Sequence, residues 1–248
     1  MLTYLRKIRK TLIESGSARK YIPYAIGEIA LVVVGILIAL QINNWNEYRK
    51  QRIEETKLLG SIYKQFSYNL NEVERAIWTT QMIQQKCIHL LQNMGNKGVE
   101  LSRQEADSLV YSGLRRIVTF DVSNGILDDI LNSGRLHIIS SDTLREKLAN
   151  WPSALEDVKE DERWAVEIRN EQTLPFLQQY YSIHHRMGID SGFDWDYREV
   201  FRMKEFENLV DQHRYLNYAN ERNFRGLKAY IAEIITLCSM ELKNRQKF

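Results

Sequence analysis

The sequence predicts an all-α protein in which one N-terminal transmembrane helix continues into a long-helix antiparallel bundle domain. The apolar run from Ala25 to Leu40 contains a single ionisable residue, Glu28. Beyond this run helix-favouring Leu, Ile, Glu, Arg, Lys and Gln dominate, and the 248 residues include only 3 prolines. In two long segments the apolar residues recur every three or four positions, as in a helix, whereas few segments alternate as strands do.

Residues 21–43 are predicted to form the transmembrane helix. The 22 residues from position 21 to position 42 span about 33 Å as a helix, enough to cross a hydrocarbon core of about 30 Å. Aromatic side chains that favour the headgroup level lie at both ends, and we expect them to be interfacial anchors: Tyr21, Tyr24, Trp45 and Tyr48. No small-x-small cleavage site follows the apolar run, so we expect an uncleaved signal anchor.

Residues 1–20 are predicted to form a basic amphipathic tail in the cytoplasm. Six basic residues and Glu14 give this tail a charge of +5, which leaves −3 for the rest of a chain whose net charge is +2. The excess of basic residues before the apolar run favours a cytoplasmic N-terminus. We therefore expect a single-pass protein of the bacterial inner membrane, with residues 44–248 as a helical periplasmic domain. Because the basicity lies in the tail, we expect no nucleic-acid partner.

Two long helices, 46–93 and 204–245, are predicted to pack antiparallel as the frame of the bundle. Each carries an apolar stripe with intervals of three and four residues. The stripes are Leu59, Ile62, Phe66, Leu70, Val73, Ile77, Cys87, Leu91 and Met94 in the first helix, and Leu227, Ile231, Ile234, Cys238 and Leu242 in the second. With residue 93 opposite residue 204, the two cysteines would lie about 40 Å apart, so no disulfide is expected.

Shorter helices are predicted between the two long ones. Ser102 and Glu105 form a capping box that opens the first of them. We expect Asp121 or Ser123 to cap a second short helix, which the segment Leu136–Ile139 follows as an extended piece.

A further helix is expected to begin at Ser141 or Asp142, and two prolines are predicted to disturb the helical run after it. Pro152 lacks a backbone donor and is predicted to kink or interrupt this helix. Pro175 is predicted to introduce a second kink before the run ends near Tyr181.

Two blocks of sequence carry a family resemblance: YAIGEIALVVVGILIALQINNWNEYRK at residues 24–50, and DDILNSGRLHIISSDTLREKL at residues 128–148. Together they resemble an uncharacterised family of single-pass inner-membrane proteins that is abundant in Bacteroidota. The resemblance implies an inner-membrane anchor and a helical extracytoplasmic domain. It implies no activity, because the function of that family is unknown.

Glu28 is predicted to lie on a face of the transmembrane helix that associates with another chain. Gly35 and Ala39 share this face as a small-x-x-x-small pair that lets two backbones approach, and Gly27 lies on the adjacent stripe. A carboxylate at the centre of a membrane helix costs about 2.5–3.5 kcal/mol, so a hydrogen bond to a neighbouring chain would stabilise it. The alternative is a carboxyl group that extends to the inner interface, beside small residues without a role.

Two candidate sites in the domain carry weaker signals. Arg135 and Arg145 flank a turn at Gly134 and could bind an anion or small ligand, although we favour a turn held by ion pairs. His184 and His185 share a loop with several aspartates, but their spacing lacks a metal-ligand pattern, which favours a polar loop. We expect no metal and no cofactor.

Three functional hypotheses follow. The first is a membrane-anchored interaction or scaffold module of the cell envelope that binds the lipid bilayer and a second copy or an envelope membrane protein. The second is a ligand-sensing helical bundle that signals through a partner membrane protein. The third is a metal binder or metal-dependent enzyme at the histidine loop. No nucleophile elbow, phosphate loop or dinucleotide fingerprint accompanies the Ser, His and Asp residues, so we do not expect an enzyme.

Overall fold

A computed structural model of the chain describes residues 18–95, 100–182 and 196–245, with side chains from residue 25 onward. These ranges contain helices and no strand, which confirms the predicted all-α class. The elements are α1 (Ala18–Gln92), α2 (Arg103–Leu114), α3 (Gly125–Asn132), a 3₁₀ turn (Arg135–Ile138), α4 (Asp142–Ile168), a π-helical turn (Arg169–Thr173), α5 (Leu174–Tyr180), α6 (Tyr197–Phe201) and α7 (Lys204–Arg245). The chain divides into two compact units, Met1–Glu55 and Thr56–Phe248.

The first unit contains the apolar part of α1. From residue 26 to residue 51 every side chain is exposed, large apolar ones included. This stretch is the one described helix segment that is long and apolar enough to cross a membrane, and none of its apolar window is buried within the protein.

The second unit is a helical bundle framed by the rest of α1 and by α7, which run antiparallel as predicted. Glu221 of α7 accepts hydrogen bonds from Gln81 and Gln84 of α1 at 2.8 and 2.7 Å. Lys228 pairs with Glu74 at 2.8 Å, so contacts toward the end of α7 fall progressively earlier in α1. The predicted register was wrong by about five residues, because it placed residue 228 opposite residue 69 rather than 74.

The core of this unit is built from the faces of α1, α4 and α7 that point inward. Trp151 of α4 is buried, and its ring meets Phe66 of α1 edge-on at 5.0 Å and Tyr230 of α7 at 6.1 Å. Among the described residues of this unit, the other fully buried aromatic rings are Phe120, Phe201, Phe206 and Phe224. Both cysteines are buried and free, as expected.

The start of α2 follows the prediction, whereas the start of α3 does not. The capping box of Ser102 and Glu105 is present, with both reciprocal hydrogen bonds. The N-cap of α3 is Asn124, so the prediction of Asp121 or Ser123 was wrong. Instead, the side-chain oxygen Oε1 of Gln65, on α1, caps this helix. It accepts hydrogen bonds from the backbone N–H groups of residues 126 and 127.

The segment Leu136–Ile139 was predicted to be extended, and this prediction was wrong. A 3₁₀ turn occupies Arg135–Ile138. Gly134, at φ +69°, reverses the chain in the left-handed region, and the N–H of Ile139 then donates to the carbonyl of Leu136 at 3.2 Å. A glycine tolerates this conformation because it lacks a Cβ.

The two prolines of the helical run lie in different surroundings, and only the region of Pro175 departs from a regular α-helix. Pro152 lies inside α4 and does not interrupt it. The predicted helix up to Tyr181 is divided by the π-helical turn Arg169–Thr173, and Pro175 stands in the first turn of α5. Because Pro175 cannot donate to the carbonyl four residues earlier, the wider turn accommodates the lost bond.

Candidate functional site

The predicted association face of α1 is open on the surface of the first unit. Glu28, Gly35 and Ala39 are exposed and recur at intervals of seven and four residues, which places them on one side of the helix. A Cβ added to Gly27 or Gly35 would meet nothing within 4 Å. The surrounding apolar side chains, from Ile26 to Ile42, are between 46% and 75% exposed. This surface is therefore free to contact lipid or another chain.

The predicted interfacial anchors lie on the same helix. Trp45 and Tyr48 are both exposed, and the guanidinium of Arg52 lies 4.8 Å from the centre of the Tyr48 ring. A cation above an aromatic face is a favourable contact. The interfacial position of these side chains stays a prediction. Tyr21 and Tyr24 lie within α1, but their side chains are outside the described part of the structure.

The Gly134 turn brings its two arginines to different carboxylates. Arg135 pairs with Asp129 and donates to the hydroxyl of Ser133 at 2.9 Å. Arg145 pairs with Asp142 and donates to the carbonyl of residue 139 at 2.6 Å. Both guanidinium groups thus contribute to the geometry of the turn. Anion binding by them stays a prediction.

The histidine loop with His184 and His185 lies outside the described residues. Within the described ranges no group of three or more His, Cys, Asp or Glu side chains could hold a metal ion.

Sequence reasoning missed two polar side chains of α1 that organise the middle of the bundle. Asn69 is fully buried; its amide donates to the carbonyl of Ser123 and its oxygen accepts from the N–H of the same residue, both at 2.9 Å. Gln65, one turn earlier, caps α3. The signal that could have found them is a pair of amides on the inward face of an apolar stripe, where polar groups need partners.

A third missed feature is a buried polar layer on α7. His213 lies 3.2 Å from the carbonyl oxygen of Arg116, and burial, with a smaller contribution from the charge of Arg169, lowers the pKa of His213 to about 4. The buried Asn217 donates to the carbonyl of His213 at 2.9 Å. Within the described part of the chain, Oδ1 of Asn217 and Nδ2 of Asn220 have no hydrogen-bond partner among the protein atoms. Burying a polar atom without a partner costs free energy.

Glu162 is a buried carboxylate that fixes the irregular segment between α2 and α3. It accepts from the backbone N–H of Phe120 at 2.8 Å and from Lys159 at 2.9 Å. Lys159 also donates to the carbonyl of Phe120. Both backbone groups of one residue are thereby satisfied by α4, which is a structural role rather than the geometry of a reactive acid.

Comparison with known families identifies one match. Residues 28–112 match the model described as "Family of unknown function (DUF6090)". From 28 to 112 the match covers 85 of 248 residues, and it includes the apolar segment from residue 28 onward, the rest of α1 and most of α2. The second resembling block, 128–148, lies beyond it. Neither a curated protein nor a solved structure matches the chain.

Proposed function

We propose that this protein is a membrane-anchored helical interaction or scaffold module of the bacterial cell envelope that self-associates through its transmembrane helix. The observation that carries the proposal is the first unit, where a continuous apolar helix surface is exposed on all sides. Water-soluble proteins rarely expose contiguous apolar surface of this extent. A lipid bilayer covers such a surface, and a helix satisfies its own backbone hydrogen bonds there.

The proposed location is the bacterial inner membrane, with the basic tail in the cytoplasm and residues 44–248 in the periplasm. The basic residues before the apolar segment support this orientation. The resemblance to a Bacteroidota family supports the choice of a bacterial membrane. The second unit supports an interaction role because it is a well-packed bundle that presents several exposed aromatic side chains, among them Trp78, Trp164 and Tyr215.

The proposed association uses the face of Glu28, Gly35 and Ala39. Small side chains let two helix backbones come close, where dispersion contacts and interhelical hydrogen bonds act between the chains. Ala30 precedes Ala39 by nine residues and, at about 100° per residue, lies on the opposite side of the helix. The helix therefore has one alanine inside the proposed interface, Ala39, and a matched alanine outside it, Ala30.

The test is the oligomeric mass of gently solubilised full-length protein, measured by native mass spectrometry for Ala39→Leu and Ala30→Leu. We expect a defined oligomer in the natural protein, its loss in Ala39→Leu and its persistence in Ala30→Leu. Gly35→Leu should act like Ala39→Leu, and Glu28→Gln reports whether the charge contributes. A monomer throughout, or equal loss in the two alanine variants, would contradict the association face.

A further inference from the structure

A groove on the outer surface of the second unit combines positive charge with aromatic surface. It lies between α1 and the end of α2 and has a volume of about 560 Å³. The lining side chains that matter for its chemistry are Trp78, Met82, Lys86, Tyr111, Arg115 and Arg116. Its volume is within the range of about 300–1,000 Å³ that is typical of ligand-binding clefts.

The charge of the groove is uncompensated. Its lining contains three cations and no carboxylate. In the described ranges no Asp or Glu forms an ion pair with Lys86, Arg115 or Arg116, although ion pairs are present elsewhere on α1, as between Glu72 and Arg75. Three neighbouring cations without a counter-charge raise the local positive potential, which an anionic partner would relieve.

Neighbouring contacts hold the guanidinium of Arg115 and the chain segments that carry the other two cations. The guanidinium of Arg115 lies 4.8 Å from the centre of the Tyr111 ring. The backbone carbonyl of Arg116 is held by the buried His213 at 3.2 Å. Gly113 lets α2 approach α1 so closely that a Cβ there would lie 3.3 Å from Cβ of Lys86. A group that is already held in place loses less entropy on binding than a flexible one, and this applies here to the guanidinium of Arg115.

The apolar part of the groove is exposed. Trp78 has 63% of its surface accessible, and Met82 lies one turn further along the same face of α1. Tryptophan, methionine and arginine are enriched at protein interfaces, and tryptophan and arginine are also enriched among the few residues that dominate binding energy. Because Trp78 and Met82 are exposed, they are not part of the buried core of the second unit.

We infer that this groove binds an acidic segment of a partner protein that also carries an aromatic or aliphatic side chain. The carboxylates would accept hydrogen bonds from Lys86, Arg115 and Arg116, and the apolar side chain would pack on Trp78 and Met82. Charge-assisted bonds to arginine are directional, and they are stronger than bonds between neutral groups. The inference rests on the proposed interaction role, but it is independent of the association face of the membrane helix.

The experiment uses full-length protein in detergent and a fluorescein-labelled peptide of glutamates around one phenylalanine, with binding measured by fluorescence anisotropy. The control peptide has glutamine in place of every glutamate. We expect the acidic peptide to bind and the control not to bind. Arg115→Gln combined with Arg116→Gln should weaken binding at least about tenfold, because two charge-assisted contacts are lost.

Two control variants show whether an effect is specific to the groove. Arg222→Gln removes an exposed arginine that lines a different groove, between α4 and α7, and should leave the affinity unchanged. Trp78→Ala should weaken binding severalfold, whereas Trp164→Ala, which removes another exposed tryptophan, should not. All five substituted positions are exposed, and an unchanged melting midpoint confirms that each variant is folded.

Several results would overturn the inference. Equal binding of the two peptides, or an unchanged affinity in the double arginine variant, would rule out an acidic segment as the partner. Binding of anionic lipid vesicles in place of the acidic peptide would identify a lipid surface as the occupant. Dissociation of the oligomer by the double arginine variant would identify a second copy. Ala39→Leu should leave peptide binding intact, so failure of the association face and failure of the groove are distinguishable.

Discussion

Two leucines of α1 show how differently one helix is used in the two units. Leu37, in the first unit, is 58% exposed, whereas Leu59, in the second, is fully buried. The residue type and the local conformation are the same, so the surroundings make the difference. In the apolar part of α1 the apolar residues surround the helix, whereas in the part of α1 that belongs to the second unit they form one stripe. The pattern of apolar residues, rather than their number, tells which part of the helix packs against protein.

The two units differ in what stabilises them. The second unit buries its apolar stripe by itself and has a core of its own. The first unit leaves its apolar surface uncovered. Substitutions in the two units should therefore have different consequences for unfolding, even when the same atoms are removed.

The largest expected effect is the difference in the free energy of unfolding between Leu59→Ala and Leu37→Ala. Leu59→Ala leaves a cavity in the bundle and should lower the free energy of unfolding by about 2–5 kcal/mol. Leu37→Ala should change it by less than about 0.5 kcal/mol, since no protein contact is lost. Urea unfolding of both variants in detergent, followed by far-ultraviolet circular dichroism, provides the measurement. Equal losses would refute the division into two environments.

The next largest effect is a loss of stability in acid that depends on His213. Burial lowers the pKa of this histidine from 6.5 to about 4, so the unfolded chain binds a proton at a higher pH than the folded one. Stability should consequently fall as the pH drops from about 6.5 to about 4, by up to about 3 kcal/mol, and should be insensitive to this group above 6.5.

The test of this histidine is the pH dependence of urea unfolding in two glutamine variants. His213→Gln should flatten the dependence between pH 6.5 and 4, since no other described histidine is buried. His89→Gln replaces an exposed histidine on α1 and should retain the dependence of the natural protein. An unchanged slope in His213→Gln would mean that the acid sensitivity has another source.

The smallest of the three effects concerns a buried amide. Asn69→Ala removes two hydrogen bonds and leaves the backbone groups of Ser123 without their partner, which should cost about 2 kcal/mol. Asn44→Ala, in the exposed first unit, should cost almost nothing. Thermal unfolding of the two variants beside the natural protein measures the difference. If both alanine variants melted alike, Asn69 would not hold the segment before α3.

Periodicity predicted the frame of the fold but not its register. The stripes of α1 and α7 were recognisable because each helix buries one face along its length. Their alignment was wrong by about five residues, since apolar stripes that repeat every seven residues remain in contact when one helix slides. The observed register depends on polar pairs such as Glu221 with Gln81 and Gln84, whose partners lie about 140 positions away in the chain.

Local signals succeeded where the interaction was local. The capping box at Ser102 involves residues three positions apart and was predicted correctly. The cap of α3 comes from Gln65, about 60 residues earlier, and no local pattern indicates it. The groove between α1 and α2 likewise depends on a tertiary approach, at Gly113, that the sequence does not reveal by itself.

Cysteine labelling at two equally exposed positions of α1 is the most direct test of the membrane anchor. Ile36 is 55% exposed in the first unit and Tyr68 is 52% exposed in the second. Burial raises the pKa of Cys87 and of Cys238 to about 12, so neither natural thiol should react at neutral pH. In opened membranes a water-soluble maleimide should label Tyr68→Cys rapidly and Ile36→Cys only after denaturation. Rapid labelling at both positions would show that water covers the apolar segment and would contradict the membrane anchor.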